Sequence, residues 1–131
     1  MIYKVQLKNF EGPLDLLLYF IRRDELDIYD IPIAKITKDF IAVIEEWKRA
    51  NLILAGDFIV MASTLMRVKA KMMLPRPELD EDGEIIDPRD ELMQQLIDYK
   101  RFRDASDILK NMSIERSHKV ARQFEQELSI N

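Results

Sequence analysis

The side chains able to do chemistry are few and scattered. His118 is the only histidine among 131 residues, and there is no cysteine. Disulfides, thiolate metal sites and a cysteine nucleophile are therefore excluded. His118 lies in a polar stretch with no Ser/His/Asp arrangement to assemble around it, so it reads as a surface residue rather than a base. Asp27 and Asp30 are a candidate carboxylate pair, and either reads more simply as a loop or capping residue. Glu78, Asp80, Asp82 and Gly83 match positions of a calcium-binding loop. The last position of such a loop needs a bidentate glutamate, and here it is Arg89, so a solvated linker is the expected reading. The three glycines, Gly12, Gly56 and Gly83, cannot build a phosphate-cradling turn. Arg67, Lys69 and Lys71, and again Lys100, Arg101 and Arg103, read as solvated helix faces with weak phosphate contact as a secondary property. No catalytic, cofactor-binding or metal-binding residues are expected, and an enzyme is the least favoured class.

The remaining chemistry is that of apolar surface. Ala55–Pro75 reads as one helix closed by Pro75. At helical spacing Met61, Leu65, Val68 and Met72 fall in one stripe with Phe58. Ile59, Met66, Ala70 and Met73 form a second stripe beside it. Together they span an apolar arc of roughly 200°, about twice what a one-sided surface helix needs. Arg67 and Lys71 lie opposite with Thr64, while Lys69 falls inside the arc. Such a helix is either clamped between two layers of its own domain or keeps one stripe for a partner. Four of the seven methionines lie here, and methionine serves both as core filler and at adaptable surfaces.

The other elements frame that helix. Tyr3–Lys8 alternates apolar and polar residues and predicts a short strand, with Leu26–Tyr29 as its candidate neighbour. Gly12 and Pro13 open a short helix carrying Leu14, Leu17, Leu18 and Ile21, ending near Asp24. Pro32 precedes a second helix with Ile33, Ile36, Phe40, Ile44 and Trp47, ended by Ala50 and Asn51. Residues 75–91 hold eight Asp/Glu against two Lys/Arg, so nearly all the excess acid of a chain with net charge −4 sits in one segment. The flanks are close to neutral, which disfavours a broad DNA-binding face. Residues 75–87 read as an exposed, flexible acidic linker. Asp87 and Pro88 restart the chain as a helical arm with Leu92, Leu96, Tyr99 and Phe102 on one face. Val120, Phe124 and Leu128 continue it, and residues 88–131 lack a second layer of their own. The fold class expected is mainly α: a small bundle of three helices at 1–74, the linker at 75–87 and the arm at 88–131. Charges interrupt the apolar run of the N-terminus, and no stretch offers about 18 uninterrupted apolar residues, so neither a signal peptide nor a membrane span is expected.

Four blocks bear a resemblance. Phe10–Leu18 (FEGPLDLLL), Glu25–Ile33 (ELDIYDIPI), Ala55–Leu65 with Lys69–Pro75, and Asp87–Leu92 with Tyr99–Phe102 resemble, in order, the blocks of the bacterial segregation and condensation protein A family, the prokaryotic kleisins. The resemblance implies a non-enzymatic bridge. In that family an N-terminal helical domain binds the coiled-coil neck of a structural-maintenance-of-chromosomes (SMC) ATPase. The middle segment is held by a dimer of segregation and condensation protein B (ScpB), and a C-terminal winged-helix domain binds a second ATPase head. DNA is reached only through the complex, in the cytoplasm at the nucleoid, in chromosome condensation and segregation. No winged-helix domain follows Asn131, so the chain resembles an N-terminal fragment unable to close a ring alone. The implied neck-binding stripe is Ile59, Met66, Ala70 and Met73; the implied ScpB-binding residues are Leu92, Leu96, Tyr99 and Phe102. Two rival classes stand beside this one: a self-associating helical dimerisation module and a DNA-binding helical domain.

Overall fold

The computed structural model of the chain describes residues 6–130. After a 3-10 turn at Leu7–Asn9 come α1 (Pro13–Arg23), α2 (Ile33–Arg49), α3 (Gly56–Met72) and α4 (Asp90–Ile130). The chain is mainly helical. Among the described residues the β structure is one isolated antiparallel bridge, Leu79 to Ile85. The expected strand at Tyr3–Lys8 is not found where it can be read. Tyr3–Val5 lie outside the described residues, and Leu7 and Lys8 belong to the 3-10 turn, with the Phe10 N–H donating to the Leu7 carbonyl at 3.1 Å. Leu26–Tyr29, the supposed neighbour, holds no strand. Alternation becomes a ladder only if another strand accepts it; otherwise the backbone satisfies itself locally.

The helix ends follow from their residues. Gly12 caps α1 with Pro13 at its first position, where no N–H is needed. The Asp15 carboxylate reaches back to accept from the Glu11 N–H at 3.2 Å, occupying a donor ahead of the helix. α1 and α2 close alike. Glu25 (φ 53°) and Asn51 (φ 60°) turn left-handed, and Leu26 and Leu52 donate back to the Ile21 and Trp47 carbonyls at 2.9 and 3.0 Å. Those bonds satisfy carbonyls that would otherwise be orphaned at the helix ends.

The chain divides into two units, one ending at Ile97 and one starting at Asp98. In the first, α1 is the centre. Leu16, Leu17 and Phe20 are fully buried, Leu18 and Ile21 nearly so. α2 contributes Ile36, Phe40, Val43, Ile44 and Trp47, and α3 contributes Phe58, Met61, Leu65 and Val68. A run of rings ties the layers together: Phe10 to Trp47 at 6.2 Å, Trp47 edge-on to Phe58 at 5.6 Å, and Phe58 stacked on Phe40 at 6.4 Å. Such pairs add about 0.5–1.5 kcal/mol each beyond the area they bury. Thr37 is buried, and its hydroxyl has no hydrogen-bond partner among the described residues. Thr37→Val keeps the shape and removes the orphaned group, so the unfolding free energy should rise by about 1 kcal/mol in urea titration.

The first unit reaches further than the expected boundaries of 74 and 88. Leu92, Met93 and Leu96, on the first two turns of α4, are buried in it. The helix itself starts at Asp90, because Pro88 and Arg89 form a turn in which the Asp87 carboxylate accepts the Arg89 N–H at 2.9 Å. Residues 75–86 are exposed, yet they are not featureless. The Asp80 N–H donates to the Glu84 carbonyl at 2.9 Å, and Ile86 N–H to Glu78 at 2.8 Å. One Asp80 carboxylate oxygen accepts from the N–H groups of Asp82 and Glu84, and Gly83 supplies the left-handed φ of 79° that the tight turn requires. In the second unit α4 continues to Ile130 with Phe102, Leu109, Val120 and Phe124 exposed.

Two ion clusters tie loops to helices. Arg23 and Lys35 both donate to Asp24, and those hydrogen bonds hold its carboxyl well below the usual carboxylate range. Asp87 is lowered in the same way by Arg89. A carboxylate whose folded value lies below its unfolded value of about 4 contributes stability in full above that value. The contribution is lost as pH falls through the folded value. The melting temperature should therefore hold from pH 7 to about pH 5 and fall below about pH 4, with a shallower acid slope in Asp24→Asn. Circular-dichroism melts across that range check it.

Candidate partner-docking surface

The stripes of α3 part company in the structure. Phe58, Met61, Leu65 and Val68 face the core of the first unit, whereas Met72, expected in the same stripe, is 40% exposed at the last residue of α3. Ile59, Met66 and Met73 are 51%, 56% and 73% exposed, and Ala70 is exposed between them. The cause is geometric. α1 and α2 pack on one side of α3, and a helix contacted on one side can bury only part of an arc this wide. All four residues expected in the second stripe therefore lie on one outward face. Leu74, at 51% exposure, prolongs it.

Sequence reasoning did not supply the neighbouring face. A shallow groove runs between α2 and α3, lined by Ala34, Lys38, Ile41, Ala42, Glu45 and Lys69. Its alanines let a foreign backbone come close, and Lys35, Lys38, Glu45 and Lys69 give it charge. Lys69, which broke the apolar arc, sits here, one step round the helix from Met66 and Met73. The available signal was Ile41 and Ala42, apolar residues off the main stripe of α2.

The second expected set divides. Leu92 and Leu96 are 2% and 0% exposed, inside the first unit, so neither presents a surface. Their spacing reflected a face turned to their own domain. Phe102 is 64% exposed, and the half-buried Tyr99 ring lies 6.5 Å from it.

The other candidate chemistry resolves into structure. Asp27 and Asp30 do not converge. The Asp27 carboxylate accepts the Tyr29 N–H at 2.9 Å, closing a local turn. Asp30 accepts from Arg89 Nη1 at 2.7 Å. That same Nη1 donates to the Ile31 carbonyl at 2.8 Å, while Nε and Nη2 of Arg89 grip Asp87 at 3.0 and 2.8 Å. The Arg89 side chain, only 16% exposed, thus fastens the start of α4 to the α1–α2 loop. Those carboxylates raise its pKa further above the usual range. His118 is exposed on α4. Among the described residues no three acidic or histidine side chains gather into a metal-holding group, and no helix is long and apolar enough to cross a membrane.

What this surface belongs to is decided by comparison with known proteins. The family model described as Segregation and condensation protein ScpA matches residues 20–130. The chain belongs to the segregation and condensation protein A family. It is 44% identical over 132 residues to the segregation and condensation protein A of Brevibacillus brevis, covering 95% of this chain and 52% of that protein. It is 46% identical over 116 residues to that of Oceanobacillus iheyensis, covering 86% and 47%. With that of Bacillus subtilis the identity is 41% over 145 residues, covering 98% and 58%. The chain thus spans about half the length of the curated relatives it matches. The matched residues span the resembling blocks at Glu25–Ile33, Ala55–Leu65 with Lys69–Pro75, and Asp87–Leu92 with Tyr99–Phe102, and begin after the block at Phe10–Leu18.

Proposed function

We propose that this chain is the part of a bacterial kleisin that links an SMC ATPase to an ScpB dimer. It acts without catalysis, in the cytoplasm at the nucleoid, in chromosome condensation and segregation, and meets DNA only through the complex. The first unit takes the coiled-coil neck of the ATPase on Ile59, Met66, Ala70 and Met73. A helical partner seats on a helix through an apolar stripe at three-and-four spacing. The observation that carries this reading is the outward stripe of α3, apolar and open while Phe58, Met61, Leu65 and Val68 beside it are sealed. ScpB takes the helix beyond Ile97, where Phe102 with Leu109, Val120 and Phe124 makes an exposed face in the second unit. Leu92 and Leu96 leave that assignment, since the first unit already holds them.

The test separates the two contacts. Residues 1–97 and the whole chain are each titrated, by calorimetry, with an isolated neck fragment and with an ScpB dimer. Both versions should bind the neck with similar affinity, and only the whole chain should bind ScpB. Undiminished ScpB binding by 1–97 would overturn the division. Concentration-dependent self-association with no neck binding would move the stripe of α3 to a second copy of the chain.

A further inference from the structure

We infer that Met66 and Met73 are sites of reversible oxidation that switch the α3 docking surface off. The inference rests on the docking reading above and adds a chemical control to it. With no cysteine in the chain, its oxidisable sulfur is all thioether. The fold sorts those thioethers. Met61 and Met93 are each 8% exposed, in the core of the first unit. Met66 and Met73 are 56% and 73% exposed on the docking stripe, Met72 is 40% exposed beside it, and Met112 is 59% exposed in the second unit. Susceptibility follows exposure. A dilute peroxide or hypohalous oxidant therefore reaches the docking stripe while the core stays reduced.

The step is a two-electron oxygen transfer. With hydrogen peroxide, the O–O bond breaks, an S–O bond forms on the thioether sulfur, and water leaves. A thiol-dependent sulfoxide reductase removes the oxygen as water and becomes a disulfide. The product is a flexible apolar side chain turned polar at its tip. Ile59 and Ala70, the other members of the stripe, offer the new oxygen no donor. Lys69 does, lying three residues after Met66 and four before Met73 on the same helix. In the free chain the sulfoxide is satisfied by water or by that ammonium; against an apolar partner it loses the water. Neck affinity should fall at least about tenfold, with no loss of fold.

The experiment treats the whole chain with dilute hydrogen peroxide, maps sulfoxides by peptide mass spectrometry, and follows the thermal melt and calorimetric binding of an isolated neck fragment. Sulfoxide should appear at Met66 and Met73 before Met61 and Met93, with the melt unchanged and affinity at least about tenfold weaker. Methionine sulfoxide reductases should restore it. In Met66→Leu/Met73→Leu the ratio of affinities after and before treatment should stay near one, although Met72 and Met112 still oxidise. Equal binding by oxidised and untreated chain, failure of the reductases to restore binding, or the same fractional loss in the double variant would each overturn the inference alone. No binding by the untreated chain would overturn the docking reading first.

Discussion

Replacing Met66 and Met73 together by glutamate should weaken binding to an isolated SMC neck fragment at least about a hundredfold, while the melting temperature moves by only a few degrees. Both side chains are more than half exposed, so the folded chain loses little by giving them up. Glutamate has nearly the helix propensity of methionine. At Met73, which caps the C-terminal end of α3, the added negative charge costs a few tenths of a kcal/mol against the helix dipole. Docking is another matter. It would remove two carboxylates from water with the single Lys69 ammonium shared between them, and burying a charge left unpaired costs several kcal/mol even after relaxation. A loss of about 2.8 kcal/mol is already a hundredfold. The control is Met61→Glu, one turn away on the sealed stripe, which should unfold the first unit. Binding by the double variant at wild-type strength would place the neck contact elsewhere.

The second large effect concerns where the first unit ends. A chain cut after Ile97 should melt cooperatively, whereas one cut after Asp87 should lose about 5 kcal/mol or more and be largely unfolded at 37 °C. The shorter cut removes Leu92, Met93 and Leu96, each nearly or wholly buried. Complete burial of such a side chain is worth about 1.5–3 kcal/mol. It also removes Arg89, leaving the Ile31 carbonyl without that donor and Asp30 without its partner. Small domains hold only about 5–15 kcal/mol in all. Leu96→Ala in the whole chain makes the same point more gently, with an expected cost of about 2–5 kcal/mol from the cavity it leaves. Urea titrations followed by far-ultraviolet circular dichroism measure all three. An unchanged midpoint in the chain cut after Asp87 would mean that α4 adds nothing to the bundle.

The same two regions mark how far the residues alone could be read. The helix starts at Pro13 and after Pro32 were legible because proline acts on its immediate neighbours. The stop at Asn51 was legible for a similar reason, since asparagine tolerates the left-handed turn that ends a helix. The two stripes of α3 were legible because a helix turns about 100° per residue whatever surrounds it. The four blocks that carry the family resemblance are equally a property of the string. Alternation misled at Leu7 and Lys8, where it can be read, because strand formation depends on a neighbour that the segment does not itself contain.

Other features needed the coordinates. Leu92 and Leu96 repeat at helical spacing whether they face a partner or their own bundle, and only the packing of α4 sends them inward. Arg89 finds Asp30 across 59 residues of chain, a distance at which no local pattern specifies a contact. The sequence of this protein by itself determined where the long helices lie and which of their residues share a face. Only the tertiary structure decided what each face meets. Face and period are set by bonds within one or two turns, while burial is set by elements brought together from distant parts of the chain.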